Sequence, residues 1–425
     1  MNFEFATATR IVLGTGRAAE LPALAAEFGT RIALVTGASR RFEDRVEHVC
    51  VIPIAGEPSF DAIRAGVDAA RAARADTVVA IGGGSVLDAG KAIAMLLANG
   101  GDPLDYAELI GAGKPITRPS MPFIAVPTTA GTGSEATRNA VLFSAEHQLK
   151  VSLRSAHMLP RIALVDPELA LALPPAQTAA SGMDALAQLI EPFLSRRANP
   201  MTDALCHDGI SRAARALPRA FADGGNLAAR TELSLAALYS GIALANAGLG
   251  AVHGLAGPIG GLFNAPHGAV CAALLPGVFE ENFLQTLEAG KNDYKDHPQT
   301  LLAPGGLAPP EPKFASLPRS QGTYAPATQG RGGRRQGFEL VATGAVKFAE
   351  VARLLTGRSD ATPEDAVRWL RELRTQLGIP GLAAYGIREE HAADIARKAQ
   401  AASSMKGNPV ALSDEVLARV VVEAL

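Results

Sequence analysis

Over its first 165 residues the chain alternates short β-branched runs with longer stretches of helical spacing, and that rhythm leaves few folds open. Strands separated by helices long enough to cross back over a sheet build a mostly parallel sheet covered by helices. "RIALVTG" (31–37), "VCVIPIAG" (49–56), "TVVAIGGG" (77–84) and "PFIAVPTT" (122–129) read as strands. Between them, "PSFDAIRAGVDAARAARA" carries apolar residues at helical spacing and opens with Pro58 and Ser59, an N-terminal signal. From about residue 168 the texture changes to Ala- and Leu-rich segments such as "RTELSLAALYSGIALANAGLG" (230–250). The predicted architecture is an α/β domain over 1–167 followed by an all-helical domain over 168–425, and 425 residues suffice for both.

Residues 291–337 interrupt the helical pattern. Seven prolines and seven glycines fall in this stretch, near the roughly 30% level typical of low-complexity chain. It reads as an inserted disordered loop, with a lid as the alternative, and helical periodicity resumes at "AVKFAEVARLLTG". A formal net charge of −2, with no concentrated basic stripe, argues against nucleic acid as a partner. Three scattered cysteines, Cys50, Cys206 and Cys271, lack a C-x-x-C spacing and read as reduced, which fits the cytoplasm. No run of 18 apolar residues and no leader-like N-terminus occurs, so no membrane association is expected.

Chemistry first shows in "VVAIGGGSVLDAGKAIAML" (78–96), which passes from an apolar strand through Gly82, Gly83 and Gly84 into a helix near Ser85. Glycines let backbone approach a ligand closely, and the free N–H groups of a helix N-terminus attract pyrophosphate. The alternative is a plain strand-to-helix turn in which Ser85 and Asp88 form a capping pair, although Asp88 can cap and still border a site. A second polar turn, "VPTTAGTGSEAT" (126–137), follows the next strand and offers Thr128, Thr129 and Thr132. Ligands of open α/β sheets sit beyond the carboxyl ends of the strands, so both turns should face one crevice.

"VHGLAGPIGGLFNAPHG" (252–268) places His253 and His267 at either end of a glycine-rich run. On one straight helix they would stand roughly 21 Å apart. Sharing an ion, with nitrogens bound at about 2.1 Å, requires the chain to break between them, and Pro258 with its neighbouring glycines is the expected break. In "SGMDALAQLIEPF" (181–193), Asp184 and Gln188 lie four residues apart on one helical face and are candidates to join the two histidines.

Taken in order, "GGGSVLDAGKA", "PTTAGTGSE", "LVDPELALALPPAQTAASGMDALAQLIE" and "VHGLAGPIGGLFNAPHG" resemble the iron-containing (group III) alcohol dehydrogenases across nearly the whole chain, except about 288–345. The resemblance implies a dinucleotide-binding domain, an all-helical domain, and a cleft between them where NAD(P) meets an alcohol or carbonyl substrate beside iron or zinc. It implies pyrophosphate contacts at Gly82 to Ser85, nucleotide contacts at Thr128 and Thr129, and catalytic and metal roles for Asp184, His253 and His267. It also implies a homodimer or larger assembly.

Two positions depart from the family pattern. Gln188 stands where members with a full metal site carry histidine, and Gly257 where many carry another histidine near the nicotinamide. An amide oxygen is a poorer ligand than imidazole for iron or zinc, so Gln188 should weaken the site. That departure raises two alternatives: a metal-independent reductase resembling the maleylacetate reductases, and a catalytically silent nucleotide-binding protein. Asp184 argues against the first, because that branch commonly carries asparagine there. Cofactor choice turns on "RIALVTGASRR", where Gly37 replaces the aspartate common in NAD-selective members and Ser39, Arg40 and Arg41 follow. Without a carboxylate to repel a 2'-phosphate, NADP(H) should be accepted.

Overall fold

A computed structural model describes residues 2–147, 149–263, 265–296 and 335–425. Its strands are β1 (Arg10–Leu13), β2 (Ile32–Gly37), β3 (Cys50–Ile54), β4 (Thr77–Gly82), β5 (Phe123–Pro127), β6 (Asn139–Ser144), β7 (Leu149–Arg154) and β8 (Ile162–Val165). Six of them form one parallel sheet in the order β1-β8-β5-β4-β2-β3, while β6 and β7 pair as an antiparallel hairpin. The helices associated with this half are α1 (Leu21–Ala26), α2 (Phe60–Ala72), α3 (Gly84–Asn99) and α4 (Pro103–Tyr106).

Both faces of the sheet are buried, which explains why its strands read as continuous apolar runs. Val78, Ala80, Phe123 and Ala125 pack against α2 and α3, while Val79, Ile81, Ile124 and Val126 pack with Leu21 and Leu24 on the opposite face. Ser59 caps α2 as its position predicted, its hydroxyl accepting from Ala62 N. Four strands were legible in the sequence. β1 and β8 were not, being only four residues long, and the β6–β7 hairpin was not singled out either.

The chain leaves β2 toward β3 on one side and then returns to lay β4 on the other, so strand order reverses between β2 and β4. That reversal opens a crevice at the carboxyl ends of the strands. Register fixes what borders it: Thr36 pairs with Ile81, and Gly82 with Pro127. The turns after β2, β4 and β5 therefore leave the sheet side by side.

After β8 the described chain is helical: α5 (Pro175–Leu194), α6 (Pro200–Ala222), α7 (Leu227–Ala247), α8 (Ala251–Phe263), α9 (His267–Asp296), α10 (Arg335–Thr356), α11 (Pro363–Gln376), α12 (Ala392–Gln400) and α13 (Asp414–Glu423). Helix α5 is buried on all sides from Gly182 to Leu194, the pattern of a central core helix. Much of the predicted 291–337 insertion, residues 297–334, lies outside the described residues, and α9 and α10 extend into its two ends. Among the described residues, no single helix is long and apolar enough to cross a membrane.

One expectation needs correction. The chain does not break at Pro258; α8 runs through it to Phe263, and α9 starts at His267. Pro258 sits eight residues into the helix, whereas Pro266 immediately precedes α9, the end of a helix where proline is tolerated.

The sheet and the helices meet at two glycines. A Cβ on Gly241 of α7 would lie 2.1 Å from the Gly133 carbonyl oxygen, and one on Gly133 would lie 2.4 Å from Gly241 Cα. Gly133 also has φ +59°, a left-handed conformation disfavoured for residues with a Cβ. Gly241→Ala should therefore destabilise the protein by about 1–3 kcal/mol through overpacking. Chemical denaturation reads this as a lowered midpoint, and an unchanged midpoint would mean that the seam yields.

Candidate cofactor crevice and metal centre

The turn after β4 leads into α3, whose N-cap residue, Gly83, provides no side-chain cap. The Ser85–Asp88 capping alternative is thereby overturned. Asp88 faces elsewhere: it accepts from Ser134 Oγ at 2.5 Å and Val141 N at 3.0 Å, and pairs with buried Lys91 at 3.0 Å. Uncapped N–H groups on a 16-residue helix present partial positive charge to whatever lies beyond the strand end.

The two polar turns touch. Thr129 lies 3.3 Å from where a Cβ on Gly83 would stand, and Thr132 lies 2.7 Å from a Cβ on Gly84, so side chains there would fill the crevice floor. Thr128 N donates to the Gly82 carbonyl at 2.9 Å, locking one turn to the other. At the end of β2, a Cβ on Gly37 would meet nothing within 4 Å. Ser39 and exposed Arg40 follow, Arg40 at φ +51° with its guanidinium 3.8 Å from Glu43, while Arg41 lies over the Phe42 ring. An uncapped helix start beside glycines, with open space at the end of β2, is the chemistry that suits a pyrophosphate and its attached nucleoside.

Asp184, Gln188 and Glu191 occupy one face of α5 at spacings of four and three residues, and all are buried. Helix α8 lays its N-terminus on this face: Glu191 Oε1 accepts from Val252 N at 2.7 Å, and Asn408 Oδ1 accepts from Ala251 N at 3.0 Å. The other Glu191 oxygen pairs with His253 Nδ1. His253 Nδ1 is held by Glu191 and its Nε2 lies 3.2 Å from Asp184 Oδ1, where Nε2–H donates to the carboxylate and a cation that displaces this proton would take the nitrogen's lone pair. A carboxylate holding the far nitrogen of a histidine is the usual support for a metal-ligating imidazole.

His267 opens α9 and reaches the same point. Gly268 allows this, because a Cβ there would stand 2.1 Å from the Ala180 carbonyl of α5. The rings of His253 and His267 have centroids 5.4 Å apart, and His267 Nε2 lies 3.7 Å from Asp184 Oδ1. A fourth group completes the cluster. Cys271 Sγ lies 3.7 Å from His267 Nε2 and 3.9 Å from His253 Nε2. One ligand atom from each of Asp184, His253, His267 and Cys271 falls within 4.8 Å of the others.

Electrostatics bind the four together. Burial opposes charge on Asp184, but the neighbouring His267 and His253 outweigh it and lower its pKa. Burial likewise opposes the Cys271 thiolate, and the two imidazoles outweigh it, holding the thiol below its ordinary value. His253 is raised well above the usual imidazole range: desolvation lowers it, but Cys271 and Glu191 together with the Asp184 hydrogen bond win. His267 is raised chiefly by Cys271, against the opposing effect of burial. Two anions beside two readily protonated imidazoles form a donor set in which a divalent cation can replace protons.

The sequence thus brought Asp184, His253 and His267 to one point, and left out Cys271 and Glu191. Both carried a signal. Cys271 is one helical turn after His267, and Glu191 is two turns after Asp184 on the face already marked by Gln188. Gln188 itself lies beside the Asp184 carboxylate, with its Oε1 3.4 Å from Ser240 Oγ. Ser240 Oγ donates to the Ala237 carbonyl at 2.7 Å and lies 3.3 Å from the Gly131 carbonyl, so it sits between the second polar turn and the cluster.

A parallel-sheet crevice is thus set against a helical bundle that carries this cluster. The chain belongs to the iron-containing alcohol dehydrogenase family: residues 8–167 match its model and residues 178–302 match the model of the family's C-terminal part. The chain is similar to 1,3-propanediol dehydrogenase of Klebsiella pneumoniae, 41% identical over 231 residues, which cover 54% of this chain and 59% of that protein. It therefore spans about three fifths of that relative's length. NAD-dependent methanol dehydrogenase of Bacillus methanolicus is 33% identical over 290 residues, covering 65% of this chain and 75% of the relative. Among solved structures, a 1,3-propanediol oxidoreductase superposes with TM-score 0.79 at 28% identity over the full length of both chains. An alcohol dehydrogenase from Oenococcus oeni gives 0.78 at 27% identity, again over both full chains.

Glu191→Gln preserves the volume and removes the charge behind His253. Divalent-metal affinity should fall about 10–100-fold, measured by chelator competition with the circular dichroism unchanged. Equal affinity in the variant would remove Glu191 from any role at the cluster.

Proposed function

We propose that the protein is an NAD(P)-dependent oxidoreductase that interconverts an alcohol and its aldehyde or ketone by hydride transfer in the crevice between the sheet and the helices. The observation that carries this reading is the convergence of Asp184, His253 and His267 at a point with Ser240 standing between it and the second polar turn. Family membership and the names of the relatives favour it over the enone-reductase and silent-protein alternatives raised by Gln188. The proposed division of labour follows the fold, with residues 1–167 holding the cofactor and 168–425 the reacting centre. We assign the protein to the cytoplasm as a homodimer or larger assembly, the latter on family membership alone.

In this reading Gly82, Gly83, Gly84 and Ser85 bind pyrophosphate through backbone N–H groups. Thr128, Thr129 and Thr132 line the opposite wall, and Asp88 supports that wall from behind through Ser134 and Val141. Asp184, His253 and His267 hold a divalent metal, which when bound acts as a Lewis acid toward the substrate oxygen. Glu191 fixes the His253 ring, and His267, the most exposed of the three, borders the substrate side. A Cβ on Gly257 would meet nothing within 4 Å, so the family's histidine site here is open space that substrate or water can enter.

Asp184→Ala should lower kcat/KM at least about a hundredfold, since polarisation of the substrate oxygen is worth several kcal/mol. NAD(P)H binding, followed by fluorescence titration, should be retained. Turnover that survives this substitution would overturn the metal-assisted reading, while cofactor binding without turnover of any alcohol or carbonyl by the wild type would favour a silent protein.

NADP(H) is accepted because Gly37 presents no carboxylate and Arg40 stands beside the crevice. Arg40→Ala should raise KM for NADP⁺ by about tenfold, the value of one charge-assisted hydrogen bond, and leave KM for NAD⁺ nearly unchanged. Equal effects on the two cofactors, or wild-type efficiency at least about tenfold higher with NAD⁺, would exclude that role.

A further inference from the structure

Family members with a full site hold their metal with histidine at the position of Gln188, and this chain offers no imidazole there. It does offer a sulfur. We infer that Cys271 supplies the fourth protein ligand, that Gln188 stays outside the coordination sphere as a support for Asp184, and that the resulting Asp-His-His-Cys set favours zinc over iron(II). This rests on the metal-assisted reading above and goes beyond it in naming the ligand set and the ion.

Three observations carry the inference. The first is geometric. With Zn–S near 2.3 Å and Zn–N and Zn–O near 2.1 Å, a tetrahedron has S···N edges of about 3.6 Å and N···O edges of about 3.4 Å. The structure gives 3.7 and 3.9 Å from Cys271 Sγ to the two imidazoles, and 3.2 and 3.7 Å from Asp184 Oδ1 to the same nitrogens. These four edges lie within about 0.3 Å of the tetrahedral values and the other two are at most 4.8 Å, so closure on one ion calls for side-chain movements of about 1 Å.

The second is the engagement of Gln188. It sits buried on the face of α5 that carries Asp184, and its Oε1 lies 3.4 Å from Ser240 Oγ, so its oxygen faces a protein hydroxyl. The third is access. Asp184 and His253 side chains are 3% and 6% exposed and Cys271 is buried, whereas the His267 side chain is 35% exposed. The cluster is closed on three sides and open beside His267, where zinc can take a further ligand by expanding its coordination.

Donor chemistry then sets the ion. Replacing an imidazole by a thiolate softens the site, and soft thiolate ligands favour zinc over metals that suit nitrogen and oxygen alone. Zinc outcompetes iron(II) at most protein sites, so raw preference is uninformative. What discriminates is how far the preference depends on sulfur.

The test uses the full-length chain stripped of metal by chelator and titrated anaerobically with Co²⁺. The wild type should develop visible ligand-field bands together with a thiolate-to-cobalt charge-transfer band in the near ultraviolet. Cys271→Ser should lose the charge-transfer band, keep ligand-field absorption, and show zinc-over-iron(II) selectivity lowered about tenfold in metal-content competition. Gln188→Ala should keep the charge-transfer band. Ligand-field bands without charge transfer in the wild type would overturn the role of Cys271 and leave the metal-assisted reading standing. No cobalt binding at all would overturn both. Persistence of the band in Cys271→Ser, or its loss in Gln188→Ala with the circular dichroism unchanged, would also defeat the proposed ligand set.

Discussion

Glu191 is the constraint on which the centre of the molecule depends. A buried carboxylate is tolerated only when its oxygens are hydrogen-bonded. Here one oxygen takes the Val252 amide at the start of α8 and the other pairs with Nδ1 of His253, the next residue of the same helix. The negative charge sits where the helix dipole favours it, so the interaction that docks α8 on α5 also orients the imidazole. Removing either partner would leave an unpaired buried group, a loss of about 3–5 kcal/mol. Packing and chemistry are therefore coupled at one side chain.

A second coupling runs across the seam. Gly133 and Gly241 bring backbone into contact where any side chain would intrude, and that contact carries the turn after β5 to the surface of α7. Ser240, next to Gly241, then stands between the Gly131 carbonyl and Gln188. That hydroxyl donates to the Ala237 carbonyl of its own helix at 2.7 Å, so the polar turn and the Gln188 amide pack against a fixed group. The distance between the two halves of the crevice is set by main chain, which deforms less readily than side chains.

Periodicity carried the fold because the sheet is buried on both faces and α5 is buried all round, so both wrote long apolar patterns into the sequence. The edge strand β1 and its neighbour β8 were too short to do so, and β6 and β7 form a separate hairpin outside that repeating pattern. At the centre, residue type decided what could be read. Aspartate and histidine at the ends of unusual motifs announced themselves, but Cys271 looked like one of three scattered thiols until α9 folded it back over His267. Pro258 misled for a related reason: proline signals a helix break by local rules, while α8 continues through it to Phe263 and the close approach of Gly268 to Ala180 of α5 is tertiary information.

The register of β2 against β4 has a consequence for molecular recognition. Thr36 and Ile81 are neighbouring rungs, so the Gly37 and Gly82 turns leave adjacent strands about 4.8 Å apart. The ladder works as a ruler: it sets the offset between the turn at Gly37 and the turn at Gly82 before any ligand arrives. Sliding β2 by one residue would alter that offset and turn its alternating side chains inside out. Side chains in the turn at 37–41 can then change without moving that offset, because it stays fixed in the hydrogen bonds of the sheet.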